Sequence, residues 1–344
     1  MINFATLKGL TIPEGVVTQI ADASGRVLWK LEASKPVILE VEKITSDTYA
    51  GETTYTGEQF ILLDIYPEKS NSTVNVTYGG FTKTLIFSGT NAKQVFFGTF
   101  NGVADEVETP DSGMLTIEGG CSGFACGAYK TKNKGEDVYY NCITGIVEWG
   151  GVTKIPDYCL YNCGNIELSE LPSGITNIGA YAFNACTNLR LTELPSGITN
   201  IGAYAFNDCP HVTPSTLPIG LTSIGNRTFH RGYTGYYAWK DKYDRITIHK
   251  NITSIGVNAF TCRDRETENS EYACGYYCNV REIYMESTVP PTLSASAFSG
   301  YLAPGGTSSS PDTDTTIYVP AGCGEAYRTT EEWTYYADMI VEVS

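Results

Sequence analysis

Two stretches of the chain are nearly identical. Leu171–Cys186 reads LPSGITNIGAYAFNAC and Leu194–Cys209 reads LPSGITNIGAYAFNDC, so they agree at 15 of 16 positions and lie 23 residues apart. The same period gives Glu148–Cys163 before them and Leu217–Phe229 after them. Four copies in one register indicate an internal repeat, and repeats of roughly 20 to 50 residues are typical of stacked architectures.

Less regular copies extend the repeat in both directions. Ile248–Phe260 ends 31 residues after the previous copy, and Ser294–Phe298 ends 38 residues after that. Ile117–Tyr129 is similar to an eroded first copy. The added residues all fall between the phenylalanine of one copy and the strand of the next, so we expect them to emerge on one edge.

A single copy predicts one strand, one turn and one short helix. Ile166–Leu171 alternates as a strand does, and Pro172 and Gly174 then mark a turn. Ile178 and Phe183, five residues apart and repeated in the later copies, bracket the helical segment. Such a unit cannot bury its apolar face alone, so the copies are expected to stack into a solenoid around one continuous core.

The repeated pattern IPxGVTxIGxxAFxxC resembles the BspA-type leucine-rich repeats of bacterial and protozoal surface proteins, over about residues 114–344. Thr315–Ala321, followed by Tyr327, Trp333 and Tyr335, is similar to the strand and helix that close such arrays. The resemblance implies a curved binding solenoid that serves adhesion and protein contact without catalysis.

Residues 36–113 predict a β-sandwich. Gly79-Gly80 joins two alternating runs as a two-residue hairpin turn would. This part resembles a bacterial immunoglobulin-like module, but it lacks the cysteine pair and core tryptophan of antibody domains. The strand-like runs are Val37–Ile44, Gln59–Tyr66, Thr73–Tyr78, Phe81–Phe87 and Gln94–Phe100.

Residues 1–35 predict a small β unit and a linker, which completes a mainly β chain of three parts: 1–35, 36–113 and 114–344. The stretch Ile12–Trp29, IPEGVVTQIADASGRVLW, resembles openings of phage or prophage tail appendages of gut Firmicutes. This resemblance implies that the protein is part of a virion tail. By analogy with trimeric tail fibres, the chain can also be expected to allow a homo-oligomer. A bacterial cell-surface adhesin is the alternative.

The charge balance disfavours several partners. Lys plus Arg number 23 against 38 Asp plus Glu, a net charge of −15, which opposes binding to nucleic acid or to an anionic membrane. No stretch approaches the roughly 20 apolar residues of a membrane span. Met1–Ile20 lacks the layout of a secretory signal, so we expect a virion tail or an extracellular surface without a visible signal peptide.

Cysteine is concentrated in the repeats. Ten of the eleven cysteines lie between Cys121 and Cys278. Cys163, Cys186 and Cys209 share one register without a C-x-x-C motif or matching histidines, so we predict an internal ladder and neither metal nor cofactor. For three others the sequence leaves open whether they pair, stay reduced or bind a metal: Cys262, Cys274 and Cys278.

No known catalytic motif is present, so we predict a protein that is not an enzyme. The three histidines, His211, His230 and His249, fall at different repeat positions, and G-x-S-x-G, H-E-x-x-H and Walker motifs are missing. A carbohydrate-active enzyme is an alternative of another class, and it would need a cleft with two inward carboxylates.

The insertions between copies are rich in tyrosine and tryptophan, which give rigid contact area with a polar handle. We therefore predict a recognition edge for a cell-surface glycan or protein. In the alternative interpretation these aromatic residues cover the flank of the solenoid or pack among themselves. The candidate binding residues are Tyr233, Tyr236, Tyr237, Trp239, Tyr243, Tyr272, Tyr276 and Tyr277.

Overall fold

The computed structural model describes residues 19–21, 27–30, 35–45, 59–100, 103–106, 108–126, 130–133, 136–139, 142–231, 242–263, 276–294, 296–298 and 314–343. The chain divides into two units, residues 1–35 and 36–344. In the first unit, strands β1 (Gln19–Ala21) and β2 (Val27–Lys30) form an antiparallel pair.

The front of the second unit consists of two antiparallel sheets. Their strands are β3 (Val37–Glu42), β4 (Ile44–Thr45), β5 (Gln59–Pro67), β6 (Thr73–Tyr78), β7 (Phe81–Ile86), β8 (Lys93–Phe100), β9 (Val103–Ala104), β10 (Ser112–Gly119), β11 (Cys121–Cys126) and β14 (Ile143–Trp149). One sheet has the order β14-β3-β10-β6-β7, and the other has the order β11-β5-β8-β9 with β4 beside β5. Strands β12 (Lys130–Asn133) and β13 (Glu136–Tyr139) form a separate hairpin.

The two sheets bury a shared apolar face. Every second residue of β6 is buried, which is the period of a strand with one face in the core. The ring of Tyr78 in one sheet meets the ring of Phe97 in the other, edge to face, at 5.7 Å between centroids. Gly79 and Gly80 have φ of +57° and +81°, so the expected two-residue hairpin turn joins β6 to β7.

The antiparallel sheets continue beyond residue 113. Residues 117–126 fold into the end of β10 and all of β11, which pair with β3, β6 and β5. The expectation of an eroded first repeat at 117–129 was therefore wrong for its described part, because these residues complete sheets that the earlier strands begin. Residues 127–129 lie outside the described residues.

The repeats form coils that stack in register. Each coil contributes a two-residue parallel strand that follows the turn, so the strand predicted before it at Ile166–Leu171 was wrong. Ile155, Ile178 and Ile201 face one another across three of these strands. Ile178, Ile201 and Ile224 are all buried in one continuous hydrophobic cluster, as stacked coils require. The strands are β15 (Lys154–Ile155), β16 (Asn177–Ile178), β17 (Asn200–Ile201), β18 (Ser223–Ile224), β20 (Ser254–Ile255) and β24 (Thr292–Leu293).

The segment between Ile178 and Phe183 is a series of tight turns, so the prediction of a short helix in each repeat was wrong. Tyr181 and Ala185 have positive φ, 57° and 60°, and a left-handed residue every fourth position interrupts an α-helix. Alternate N–H groups donate to the next coil instead of to their own. These bonds run from Tyr181 to Ala203 (3.0 Å), from Phe183 to Ala205 (2.9 Å) and from Ala185 to Asn207 (2.8 Å).

The glycine of the IGxxAF pattern marks a close approach between coils. A Cβ atom on Gly202 would lie 2.4 Å from the backbone N of Ala180 in the preceding coil. The N–H of Gly202 also donates to the carbonyl of Ile178 at 2.8 Å. Glycine is therefore needed here because no side chain fits between the two backbones.

Longer strands and a cap complete the array. A parallel sheet is formed by β19 (Tyr243–Ile248), β23 (Val280–Met285), β25 (Thr316–Pro320) and β26 (Ile340–Val343). It buries Ile246, Ile283 and Ile317 in matching positions. An antiparallel pair is formed by β21 (Thr261–Arg263) and β22 (Tyr276–Cys278). The cap contains α1 (Gly324–Thr329) and a 3₁₀-helix at Glu331–Met339.

One phenylalanine from each coil stacks on the next through the core. Phe183, Phe206, Phe229, Phe260 and Phe298 follow one another at 5.4 to 5.9 Å between ring centroids, with planes within 12° of parallel. The row ends on three rings of the cap, where Tyr336 is buried and the expected Tyr335 is exposed. Those rings belong to Trp333, Tyr336 and Tyr327.

We predict that Phe206→Ala destabilises the second unit by about 3–5 kcal/mol, because it leaves a cavity between two stacked rings. Ile219→Ala is the matched control, since Ile219 is 61% exposed, and it should change the stability by no more than about 0.5 kcal/mol. Urea unfolding followed by tryptophan fluorescence measures both. Equal effects of the two substitutions would contradict a shared core.

Candidate binding surfaces

The roots of the two aromatic insertions lie side by side. The first insertion leaves the array after Arg231, whose N–H donates to the carbonyl of Thr261 at 2.8 Å, where the second one departs. The first returns at Tyr243, whose N–H donates to the carbonyl of Asn279 at 3.0 Å, where the second one ends. Both insertions therefore start and finish at one place on the array.

The structure places few of the predicted binding residues. Tyr243 is buried in β19, so it adds nothing to an exposed contact surface. Tyr276 and Tyr277 belong to β22 by their backbone. The other candidates lie outside the described residues: Tyr233, Tyr236, Tyr237, Trp239 and Tyr272.

A buried polar cluster ties these roots together. The side-chain amide of Asn279 donates to the carbonyl of Phe229 at 2.6 Å and approaches that of Thr261 at 3.5 Å. The hydroxyl of Thr261 bonds Nδ1 of His230 at 2.8 Å. Because these hydrogen bonds form inside the protein, the bases of both insertions are fixed to the stacked coils, although Oδ1 of Asn279 has no partner among the described groups.

The buried side chain of Tyr243 packs its ring against Arg231 and buries its hydroxyl group. The guanidinium of Arg231 lies 5.3 Å from the centre of its ring, a cation–π distance. Its buried hydroxyl has no hydrogen-bond partner among the described groups. Burial raises the pKa of Tyr243 well above the usual range, while nearby Arg231 lowers it and Cys278 raises it.

Three tyrosines form a stack on the turn side of the coils. None of them was among the binding residues predicted from the sequence. Tyr158 and Tyr181 lie 5.0 Å apart between ring centroids with planes 2° from parallel, and Tyr181 and Tyr204 lie 4.5 Å apart at 10°. We call these three residues the tyrosine ladder. All three are partly exposed, and Tyr161 leans against Tyr158 at 5.7 Å.

A cation continues the tyrosine ladder. Arg227 occupies the same repeat position one coil further on, and its guanidinium lies 5.6 Å from the ring of Tyr204. Stacked neighbours cover the ring faces, so the partly exposed ladder presents ring edges at the spacing of the coils. The sequence does show that these tyrosines recur every 23 residues. A repeated tyrosine alone, however, does not indicate which side of a coil its ring occupies.

The cysteines in register lie inside the coils. Cys186 and Cys209 are buried free thiols, and Cys163 is buried in the same register. Cys262 and Cys278 are buried in β21 and β22, while Cys274 lies outside the described residues. Across the part of the chain that the structure describes, no group of three or more His, Cys, Asp or Glu side chains could hold a metal ion.

Two of the three histidines form hydrogen bonds in the protein interior. Nδ1 of His230 bonds the hydroxyl of Thr261, and Nε2 of His249 bonds the carbonyl oxygen of Pro218 at 3.0 Å. Both histidines are buried, so these bonds hold coils together. His211 is exposed.

Within the described ranges, no helix has the length and apolar character needed to cross a membrane.

The repeats match a known family. Residues 131–235 and 153–301 fit the family described as "BspA type Leucine rich repeat region", in six copies. A crystal structure of a leucine-rich repeat protein from Bacteroides ovatus ATCC 8483 is similar at 14% identity and a TM-score of 0.24, covering 66% of this chain and 72% of that one. No curated protein matches the sequence.

Two buried tyrosines offer a matched test of the polar cluster. Tyr243→Phe should leave the stability unchanged or raise it, because it removes a buried hydroxyl without a partner. Tyr327→Phe should lower the stability by about 1 kcal/mol, because the hydroxyl of Tyr327 donates to the carbonyl of Ser287 at 2.8 Å. Urea unfolding at pH 7 compares the two, and a larger loss for Tyr243→Phe would contradict this account.

The same variant has a pH signature. Burial raises the pKa of Tyr243 in the folded protein, so the unfolded chain ionises this tyrosine first. The stability of the unchanged protein is therefore unaffected by this group below the ordinary tyrosine pKa of about 10, and it falls as the pH rises above that value. Tyr243→Phe should therefore lose less stability than the unchanged chain between pH 9 and about pH 11. Unfolding midpoints across this range measure the difference, and identical slopes would contradict it.

Proposed function

We propose that this chain, whose repeats match the BspA leucine-rich type, is a non-enzymatic recognition protein. Its repeat array, as a solenoid, would bind a glycan or a protein on a bacterial surface. The two antiparallel sheets would serve as an immunoglobulin-like spacer. The observation that carries the proposal is the tyrosine ladder, three partly exposed aromatic side chains held in line by consecutive coils.

The tyrosine ladder suits recognition because it is already ordered. Tyrosine offers a large contact area with only two side-chain rotations, and stacking at 4.5 to 5.0 Å restricts those rotations before a ligand arrives. Binding then costs less conformational entropy than binding to loose side chains. A tyrosine hydroxyl can both donate to and accept from a ligand rich in oxygen atoms.

The charge of the chain narrows the choice of ligand. A net charge of −15 repels polyanions at long range, although Arg227 places one cation beside the tyrosine ladder. A neutral glycan or a protein surface with basic residues meets no such barrier. Nucleic acid is therefore an unsuitable ligand.

For the setting we propose a phage or prophage tail appendage. The support is the sequence Ile12–Trp29, which resembles the openings of such proteins. The second candidate is a bacterial cell-surface adhesin, and the similarity of residues 131–301 to BspA-type repeats favours it. Mass spectrometry of purified particles against washed cell envelopes separates the two, because the chain should be found in only one of them.

The triple variant Tyr158→Ala, Tyr181→Ala and Tyr204→Ala should lower the affinity for intact target cells at least tenfold. Tyr335→Ala is the control, because Tyr335 is 64% exposed in the cap, far along the chain from the tyrosine ladder, and it should bind normally. Attachment of fluorescently labelled protein to cells measures both. Normal attachment of a well-folded triple variant would remove the ladder from the proposal.

A second triple variant tests the edge predicted from the sequence. Tyr236→Ala, Tyr237→Ala and Trp239→Ala replace three residues of one insertion, all of them outside the described residues. If that edge forms part of the surface, attachment should fall with it also. Unchanged attachment would confine recognition to the stacked coils.

A further inference from the structure

The cysteines of consecutive coils act as hydrogen-bond donors. Three buried thiols each lie 2.9 Å from a backbone carbonyl oxygen of the element before them. We call these residues the thiol ladder. Its bonds run from Cys186 to Leu160 and from Cys209 to Phe183, 26 residues back in each case, and from Cys159, which has a different repeat position, to Phe124.

These bonds require the reduced state. Only S–H can donate to a carbonyl, and a disulfide has no hydrogen to give. The carbonyl oxygens of Leu160 and Phe183 also accept a backbone N–H, at 3.2 and 3.1 Å, so each thiol is a second donor packed against a carbonyl inside the core. The buried places of Cys186 and Cys209 are therefore open to a small unmodified side chain and closed to a cysteine that is joined to a distant cysteine or to glutathione.

The folded protein shields its own thiols. Cys186 and Cys209 are almost fully buried, at 1% and 2% exposure. Burial, and then the neighbouring Cys186, raises the pKa of Cys209 well above its ordinary value. Since the thiolate is the reactive form, Cys209 resists oxidation in the folded protein, and burial keeps oxidants away from Cys186 as well.

The unfolded chain has no such protection, because its eleven cysteines are exposed at their ordinary pKa. A low-molecular-weight disulfide can then oxidise a pair of them: one protein S–S bond forms, and two electrons and two protons pass to the oxidant, which becomes two thiols. We propose that the thiol ladder restricts folding of this chain to a reducing compartment. It would then meet the surface it recognises already folded.

This inference concerns the route to the surface and is independent of what the tyrosine ladder binds. A virion tail is assembled in a reducing cytoplasm, whereas an exported adhesin that folds outside the cell meets oxidants while unfolded. A dependence on reduced thiols therefore favours the first setting.

Refolding under two redox conditions tests the proposal. The chain is unfolded in urea, then diluted into reduced glutathione or into glutathione disulfide. The native yield, followed by circular dichroism, should fall at least fivefold with the disulfide. Folded protein given the same disulfide should be unaffected, and equal refolding yields would overturn the proposal.

Mapping the disulfides assigns the effect to the thiol ladder. Mass spectrometry should find Cys186 or Cys209 oxidised in the misfolded fraction and reduced in the native fraction. Native protein with a disulfide at either residue would overturn the proposal. In a matched pair of variants, Cys186→Ala with Cys209→Ala should recover at least half of the lost yield, while Cys121→Ala with Cys323→Ala, which alters two partly exposed thiols, should not.

Expression in two compartments tests the consequence in cells. With a leader that directs the chain to an oxidising bacterial periplasm, the soluble yield should be at least tenfold below that of cytoplasmic expression. It should recover in a strain that lacks the periplasmic thiol oxidase. Equal yields in both compartments would overturn the compartment claim, whatever the result of the attachment assays.

Discussion

No coil of this protein can exist without its neighbours, and this constraint governs the rest of the structure. A coil of 23 residues has one apolar side and backbone N–H groups that cannot all bond within it. Both needs are met by the next coil. Phe183 stacks on the ring of the coil that follows, and its N–H donates to the carbonyl of Ala205 in that same coil.

Exact stacking makes each repeat position a row of like side chains. The row inside is phenylalanine, which contributes apolar area, and the row at the outer side begins with tyrosine, which contributes edges and hydroxyl groups. A third row donates S–H bonds to buried carbonyls, as at Cys186 and Cys209. One geometric rule thus produces the core, the proposed recognition surface and the proposed sensitivity of folding to thiol oxidation.

The repeat period and the apolar rows could be predicted from the sequence, because a period survives whatever the local backbone does. The backbone conformation between Ile178 and Phe183, where a helix was predicted, does not follow from the repeat period. Two apolar residues five apart fit a helical turn, but they fit tight turns equally well. What decides between them is where the N–H groups donate, and that depends on the neighbouring coil.

The direction of side chains was the harder part of the candidate site. Tyr243 was predicted to belong to an aromatic insertion, but it is the first residue of β19 and its side chain is buried. The strand begins two residues before Arg245, where the sequence pattern had placed its start. The tyrosine ladder was not among the predicted binding residues, because a residue that recurs at one repeat position usually has a structural role. Its members are Tyr158, Tyr181 and Tyr204. In coils whose interior is filled by rows of phenylalanine and isoleucine, the boundary with water is the place expected for a repeated polar aromatic residue. Regularity is thus a reason to look for a binding surface among the coils as well as among the insertions.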